Sequence, residues 1–245
     1  MIVVLSGEGP TDLGQCRNAQ NNCEDADFQI GPMTVLLDQM LESRLGYQLR
    51  SIPGGYQYVS ETGLKAREQV RKNNRRQISL VGKKRDQETA YFYINAWMLA
   101  EIAMQIEKER DDQVIAVLFR DSDGTRTSIS GLWEAKWQSM VNGFGRAEFP
   151  RGVPMLPKPK SEAWLLCAAK PTVVNCADLE EISGNDNSPN SAKRQLDAAF
   201  GTYMSGDEIC DWLDENPIDV ERASAMLSFK VFREQLNRAL GEVTH

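Results

Sequence analysis

The first half of the chain alternates short apolar runs, rich in β-branched residues, with longer segments in which apolar residues recur at helical spacing. This alternation is typical of an α/β sheet whose strands are joined by crossover helices. The apolar runs predict strands at residues 2–5, 47–52, 78–81 and 114–119. The periodic segments predict helices at about residues 33–45, 60–75 and 88–109.

After about residue 130 the pattern becomes mostly helical. Helices are predicted at residues 131–142, 161–169, 190–200, 205–215, 219–227 and 229–240. We therefore expect an α/β core over residues 1–170, with a mainly parallel sheet flanked by helices. A mostly helical C-terminal portion over residues 171–245 is expected to pack on this core.

Composition narrows the chemistry that the chain can support. Its 245 residues are 41% hydrophobic, yet no apolar run approaches the roughly 18 residues that a membrane span needs. We expect neither a membrane span nor a signal peptide, and a cytoplasmic location. The five cysteines include no CxxC pair and are expected to be reduced thiols, with a redox pair of Cys16 and Cys23 as the alternative. The single histidine, His245, argues against HNH nucleases and against hydrolases with Ser-His-Asp or Cys-His sites.

Charge is distributed unevenly along the chain. The net charge is −7, but residues 65–85 contain nine Lys or Arg and one acid, so this segment has a net charge of +8 and the remainder −15. A concentrated basic segment in an acidic protein favours a local contact with DNA or RNA, although a solvated helix face explains the same charges. The candidate nucleic-acid contacts in this segment are Arg71, Lys72, Arg75, Arg76, Lys83 and Lys84.

Two strand ends carry acids suited to catalysis. In IVVLSGEGPTD, a strand runs into a glycine-rich turn with Glu8 and Asp12, and in VIAVLFRDSDGTR an apolar strand ends at Asp121 and Asp123. Acids at the carboxyl ends of strands point into the crevice where open α/β sheets bind ligands. Paired carboxylates at one strand end are costly without a cation. Ordinary turns, including an Asx-turn with Gly124, are the alternative explanation.

A third segment, PMLPKPKSEAWLL, places Lys158 and Lys160 before a helix whose first turn contains Glu162. The two lysines are candidate phosphate contacts, and Glu162 is a candidate metal ligand. The helix dipole alone also favours an acid at this position. Carboxylate oxygens are the ligands that Mg²⁺ and Mn²⁺ prefer, so the acids of the three segments together suit either ion.

The turn with Glu8, the Asp121-x-Asp123 pair after a later strand and the order of these elements resemble a TOPRIM domain, the metal-dependent catalytic module of topoisomerases, primases and OLD-family nucleases. EGPTD, LFRDSDGTR and PKPKSEAWLL look like the corresponding segments of a TOPRIM-like family of uncharacterised bacterial proteins. Some members of that family are encoded beside ABC-type ATPases in phage-defence settings. The resemblance covers roughly residues 1–170.

The resemblance implies a nuclease that hydrolyses phosphodiesters with Mg²⁺ or Mn²⁺. It implies that Glu8, Asp121 and Asp123 are catalytic and bind metal, Glu8 as a ligand or as the general base, and that Asp12 and Glu162 are further ligands. Nucleic acid and an ABC-type ATPase chain are the implied partners, and a homo-oligomer stays open. The separation of 113 residues between Glu8 and Asp121 exceeds a compact TOPRIM core and implies an insertion around residues 53–110.

Two other functions stay open. A strand followed by DSDGT is also the nucleophile motif of haloacid-dehalogenase-type phosphatases, and Gly206-Asp207-x-x-x-Asp211 resembles their later metal motif. However, about 110 residues precede this strand, and Ser205 with Glu208 fits a helix capping box better. The other alternative is a TOPRIM scaffold without catalysis that binds nucleic acid or a protein.

Overall fold

The computed structural model describes residues 1–9, 11–18, 20–73, 89–122, 131–170 and 175–243. In this part of the chain the strands are β1 (Ile2–Ser6), β2 (Gly14–Cys16), β3 (Asn22–Glu24), β4 (Phe28–Ile30), β5 (Tyr56–Val59), β6 (Val114–Phe119) and β7 (Gly152–Met155). The helices are α1 (Pro32–Leu45), α2 (Glu61–Asn73), α3 (Ala90–Arg110), α4 (Leu132–Arg146), α5 (Ser161–Ala169), α6 (Ala192–Phe200), α7 (Gly206–Glu215), α8 (Val220–Ala223) and α9 (Leu227–Val243).

The central sheet has the strand order β3-β5-β1-β6-β7. β5, β1, β6 and β7 run parallel to one another, and β3 pairs antiparallel with β5. β2 and β4 form a separate antiparallel ribbon. The prediction of an α/β fold with a mainly parallel sheet is therefore confirmed.

Helices cover both faces of this sheet. Successive side chains of a strand point to opposite faces. In β1, Val3 and Leu5 belong to the core beneath α1, α5 and α9, whereas Ile2 and Val4 belong to the core beneath α3 and α4. All four side chains are buried. Burial on both faces explains why the central strands are continuous apolar runs instead of alternating apolar and polar positions.

The chain changes direction across the sheet between β1 and β6. These strands are neighbours, with Ser6 opposite Leu118, but β1 leads through α1 to β5 on one side and β6 leads through α4 to β7 on the other. α1 and α4 also lie on opposite faces. The carboxyl ends of β1 and β6 therefore form the topological switch point, where open α/β sheets bind ligands.

The strand prediction was wrong in one segment and incomplete in another. Residues 47–52 contain a 3-10 turn at Leu49–Ser51, and the strand follows as β5, after Gly54 has turned the chain with a φ of 73°. The sequence does not predict β7, because its Pro154 disfavours a strand. Proline is tolerated at this position because β7 lies at the edge of the described sheet. The predicted strand at residues 78–81 lies outside the described residues.

The described parts of the implied insertion and of the C-terminal portion both pack on the sheet. Residues 53–110 contain β5, which pairs with β1, and α3, which packs on α4 and β6. On the opposite face, α6 contacts α5, α7 contacts α1, and α9 contacts β7. The Trp164 ring lies 5.0 Å from Phe229 and 5.4 Å from Phe232, which joins α5 to α9. Among the described helices, none combines the length and apolar character needed to cross a membrane.

Four cysteines form two disulfides, which corrects the expectation of reduced thiols. Cys16 and Cys23 connect β2 to β3, and Cys167 connects α5 to Cys176. The pairs are separated by 7 and 9 residues, so no CxxC motif marks them in the sequence. Burial raises the pKa of the free Cys210 thiol to about 12, which makes this residue a poor nucleophile.

Helices α3 and α4 pack closely at Gly143. A methyl group added there would lie 2.3 Å from the carbonyl oxygen of Tyr93 and 2.8 Å from Cβ of Ala96. We expect Gly143→Ala to lower the free energy of unfolding by about 1–3 kcal/mol, because the helices must separate. Gly145→Ala, in the same helix, is the matched control. Nothing lies within 4 Å of its added methyl group, so it should stabilise helix α4. Urea denaturation measures both, and equal stabilities would contradict this packing.

Candidate active site

Glu8 lies in the turn that directly follows β1. Gly9 in this turn has a φ of 74°, in the left-handed region that glycine adopts without strain. The Glu8 side chain is 47% exposed, and its Oε2 lies 3.9 Å from Nε of Arg120. Glu8 therefore faces the end of β6 across the switch point.

Ser161, the first residue of α5, contacts two of the predicted site acids. Its Oγ donates a hydrogen bond to Oδ1 of Asp12 at 2.5 Å, and its backbone N–H donates to Oδ1 of Asp121 at 3.1 Å. The second bond uses an N–H group that a helix N-terminus leaves unpaired, and the helix dipole favours the negative charge. Asp12, from the loop after β1, and Asp121, from the end of β6, are thus brought together at one residue.

Asp12 occupies an environment that disfavours its ionisation. Burial, the largest effect, raises the pKa of Asp12 to about 6, and the hydrogen bond from Ser161 opposes this rise. The negative charges of Glu162 and Glu8 raise the pKa further, whereas Lys160 lowers it. Such effects on the pKa of Asp12 require the charged groups to be near it. Glu8, Asp12 and Glu162 therefore belong to one acidic site.

Glu162 has an unsatisfied oxygen in this site. Its Oε2 is buried and has no hydrogen-bond donor among the described residues. A buried carboxylate oxygen without a donor is unfavourable, and native structures contain few such atoms. The helix dipole explains an acid in the first turn of α5 but does not explain this unsatisfied atom. A bound cation would satisfy it.

A buried lysine supports the end of β6. Ser122 donates two hydrogen bonds to the carbonyl of Pro159, from its backbone N–H at 3.2 Å and its Oγ at 3.0 Å. Nζ of Lys136, in α4, donates to the carbonyl of Ser122 at 3.0 Å. The Lys136 side chain is almost fully buried. Its ammonium group thus fixes the backbone that follows Asp121, a role that the sequence does not indicate.

The described residues contain part of the predicted metal site. Asp123 lies outside them. Within the described ranges, no three His, Cys, Asp or Glu side chains are grouped tightly enough to hold a metal ion. The contacts of Ser161 join Asp12 to Asp121, and charge coupling joins Asp12 to Glu8 and Glu162. These four acids lie in one neighbourhood without forming a closed coordination shell.

The basic residues of α2 have intramolecular partners. Arg71 forms an ion pair with Glu101 of α3, and its guanidinium lies 4.1 Å from the Trp97 ring centroid. Lys72 pairs with Glu68 at 2.7 Å, and its side chain is 52% exposed. Arg71 therefore connects α2 to α3, whereas Lys72 is better placed to meet an external anion. The other candidates of the basic segment, Arg75, Arg76, Lys83 and Lys84, lie outside the described residues.

The two lysines before α5 differ in their surroundings. Nζ of Lys158 lies 3.1 Å from Oε1 of Glu181, and this pair is on the surface. Nζ of Lys160 lies 3.0 Å from Oδ1 of Asp186, but the Lys160 side chain is only 15% exposed. Lys160 also acts on the pKa of Asp12. Lys160 is therefore the lysine of this segment that belongs to the acidic site.

The segment that resembles the phosphatase metal motif forms a helix start. Ser205 accepts a hydrogen bond from the backbone N–H of Glu208, and the Glu208 side chain accepts from the backbone of Ser205, so the predicted capping box is confirmed. Asp207 accepts a hydrogen bond from Nε2 of Gln29 at 3.0 Å. No strand precedes α7 over the described residues 202–205. Asp207 and Glu208 of this segment therefore have partners within the fold at the start of α7.

No protein-family model, curated protein or solved structure matches this chain significantly. A functional conclusion therefore depends on the geometry and charge of the site at the ends of β1 and β6.

Proposed function

We propose that this chain is a TOPRIM-type nuclease that hydrolyses phosphodiesters with Mg²⁺ or Mn²⁺. The observation that carries the proposal is the contact of Ser161 with both Asp12 and Asp121, with Glu8 and Glu162 close by, at the switch point of the sheet. Carboxylates gathered in this way repel one another unless a cation is present. The TOPRIM identity of the fold and the role of Asp123 as a further ligand are parts of the same proposal.

The donor atoms of the site fit a hard divalent cation. The acids offer carboxylate oxygens, and Oε2 of Glu162 is buried without a donor. Mg²⁺ retains several waters, so two or three protein carboxylates are sufficient ligands. When bound, such a cation stabilises negative charge on the phosphate and lowers the pKa of a coordinated water.

The residues of the chain have distinct parts in this scheme. Ser161 holds Asp12 and Asp121 in place as ligands, and Lys136 fixes the backbone after Asp121 through the Ser122 carbonyl. Asp12, with a pKa of about 6, is mostly ionised at neutral pH, and a bound cation favours its ionised form further because a nearby positive charge lowers the pKa of a carboxyl group. Glu8, which is half exposed beside the crevice, is either a further ligand or the general base.

The proposed partners follow from the same function. Nucleic acid, DNA or RNA, is the proposed substrate, with Lys72 as the more accessible described contact of α2. An ABC-type ATPase partner, a role in phage defence, a homo-oligomer and a cytoplasmic location stay predictions. The two disulfides are a reason to test the location, because such bonds persist mainly in oxidising compartments.

A substrate panel tests the proposed function. Wild-type protein is incubated with Mg²⁺ or Mn²⁺ and with single- and double-stranded DNA and RNA, and in parallel with p-nitrophenyl phosphate. We expect cleavage of at least one nucleic acid that EDTA abolishes, and no release of nitrophenol. Nitrophenol release without nucleic-acid cleavage would identify the phosphatase, and nucleic-acid binding without any hydrolysis would identify the scaffold.

A further inference from the structure

Arg120 is a fully buried arginine directly after β6. Its backbone N–H donates to the carbonyl of Met155 at 3.1 Å, which fixes the residue to β7. Its Nη1 donates to the carbonyl of Phe119 at 2.6 Å, and the guanidinium lies 5.3 Å from the ring centroid of Tyr91. The guanidinium is therefore held rigidly at the floor of the acidic site.

The other two nitrogens of Arg120 are buried and make no hydrogen bond of good geometry among the described residues, although a weaker hydrogen bond from the guanidinium lowers the pKa of Tyr91 slightly against the effect of burial. Nε and Nη2 form one edge of the guanidinium, whose parallel N–H groups match two oxygens of a phosphate or carboxylate. Leaving two charged donors unpaired inside a protein is unfavourable. Oε2 of Glu8 lies 3.9 Å from Nε, farther than the roughly 2.7–2.9 Å of a charge-assisted hydrogen bond. Glu8 is therefore an ion-pair partner of this edge but does not accept a hydrogen bond from it.

A pocket of about 400 Å³ opens beside Glu8. Its lining includes Gly7, Gly9, Tyr58, Ser60, Glu61 and Thr62. Gly7 and Gly9 of this lining flank Glu8, whose Oε2 lies 3.9 Å from Nε of Arg120, so the guanidinium lies behind the Glu8 turn. Burial raises the pKa of Tyr58 in the pocket wall, and the charge of Arg120 partly offsets this rise. Nζ of Lys65 lies 2.6 Å from Oε1 of Glu61 and balances its charge. α2 begins in this wall, and the positive end of its dipole favours an anion.

We propose that the Nε–Nη2 edge of Arg120 binds the two non-bridging oxygens of the scissile phosphodiester. The assignment rests on the proposed nuclease function and names the residue that recognises the oxyanion. A phosphate on this edge satisfies both buried donors. Because Arg120 and Asp121 are adjacent at the end of β6, a phosphate held by Arg120 lies beside the proposed cation ligands.

The test replaces Arg120 with lysine, which keeps the charge but cannot present two parallel N–H groups. We expect Arg120→Lys to lower metal-stimulated cleavage about 10²–10³-fold, while its affinity for Mn²⁺ stays that of the wild type. Arg151→Lys is the matched control. Arg151 is also mostly buried, but its Nε donates to the carbonyl of Val114 at the opposite end of β6 and its Nη2 pairs with Glu107. The control should cleave at the wild-type rate.

Binding of inorganic phosphate without metal separates this assignment from the nuclease proposal. Calorimetry is expected to show phosphate binding to the wild type and at least tenfold weaker binding to Arg120→Lys. Wild-type cleavage by Arg120→Lys overturns the assignment and leaves the nuclease proposal in place. If the wild type cleaves nothing, the nuclease proposal fails. Phosphate binding that is equal in the two proteins, or absent from both, overturns the assignment of Arg120 whatever the cleavage result.

A wild-type crystal soaked in phosphate tests the contact without any substitution, so it remains decisive if Arg120→Lys does not fold. We expect phosphate density within hydrogen-bond distance of Nε and Nη2 of Arg120. An edge that phosphate leaves empty, or phosphate bound elsewhere as an adventitious ion only, overturns the assignment.

Discussion

Asp121→Asn is expected to lower metal-stimulated phosphodiester cleavage by roughly 10²–10³-fold. Asparagine retains an oxygen that accepts the hydrogen bond from the Ser161 N–H, so the start of α5 keeps its partner. It removes the negative charge that a hard cation requires of its ligand. The loss should therefore appear in activity and not in folding. Initial rates with Mn²⁺, on the nucleic acid that the wild type cleaves best, measure the effect.

Two further variants make this result specific. Asp112→Asn is the matched control, because Asp112 lies just before β6, at the amino ends of the parallel strands and away from the site. There its carboxylate binds the N-terminal ammonium at 2.7 Å. Its rate should equal that of the wild type.

Glu8→Gln separates the two enzyme classes. A nuclease should lose activity in both Glu8→Gln and Asp121→Asn, whereas a phosphatase would need Asp121 and tolerate Glu8→Gln. Wild-type cleavage by Asp121→Asn would remove Asp121 from the site.

Asp12→Asn is expected to stabilise the protein at pH 8 and to leave its stability unchanged at pH 3. The pKa of Asp12 rises from 3.8 to about 6 on folding, chiefly through burial. Between these values the folded state binds more protons than the unfolded state, so the stability of the wild type falls as the pH rises through this range. The difference corresponds to a gain for Asp12→Asn of up to about 3 kcal/mol above pH 6. Urea denaturation at pH 3, 5 and 8 measures it.

A second aspartate with the opposite shift provides the control for this pH series. The N-terminal ammonium lowers the pKa of Asp112, so its ionised form stabilises the folded state and Asp112→Asn should destabilise the protein at pH 8.

Saturating Mn²⁺ should stabilise the wild type at pH 8 more than it stabilises Asp12→Asn, because only the wild type offers the Asp12 carboxylate. A variant that is less stable than the wild type at pH 8 would show that the Asp12 charge is not disfavoured.

The sheet was predictable wherever local pattern and burial agree. β1 and β6 are continuous apolar runs bounded by polar turns, and the structure places them where the sequence does. The segment around Ile52 misled the prediction because only Leu49 of its apolar side chains is buried, whereas Tyr47 is 44% and Ile52 46% accessible. Strand propensity depends on residue type alone, whereas a strand also needs a hydrogen-bonded neighbouring strand. β5 has such a neighbour in β1.

The neighbourhood of the site acids could be predicted in part. Glu8 and Asp121 follow strands that could be located from sequence, and the ends of neighbouring parallel strands share one edge of the sheet. The contacts of Ser161 depend on where α5 docks, which no local pattern records. Arg120 shows the same limit, because a charged residue after an apolar run is usually a turn residue. Its burial is evident only once the helices cover the sheet.

The most direct test of the cation site is the position of Mn²⁺ in a crystal of the wild-type protein at pH 8. We expect anomalous density roughly 2.0–2.3 Å from carboxylate oxygens of Asp121 and of at least one of Glu8, Asp12 and Glu162. If saturating Mn²⁺ gives no anomalous density near these oxygens, or gives density only at other surfaces, the claim that the ends of β1 and β6 hold a metal is contradicted.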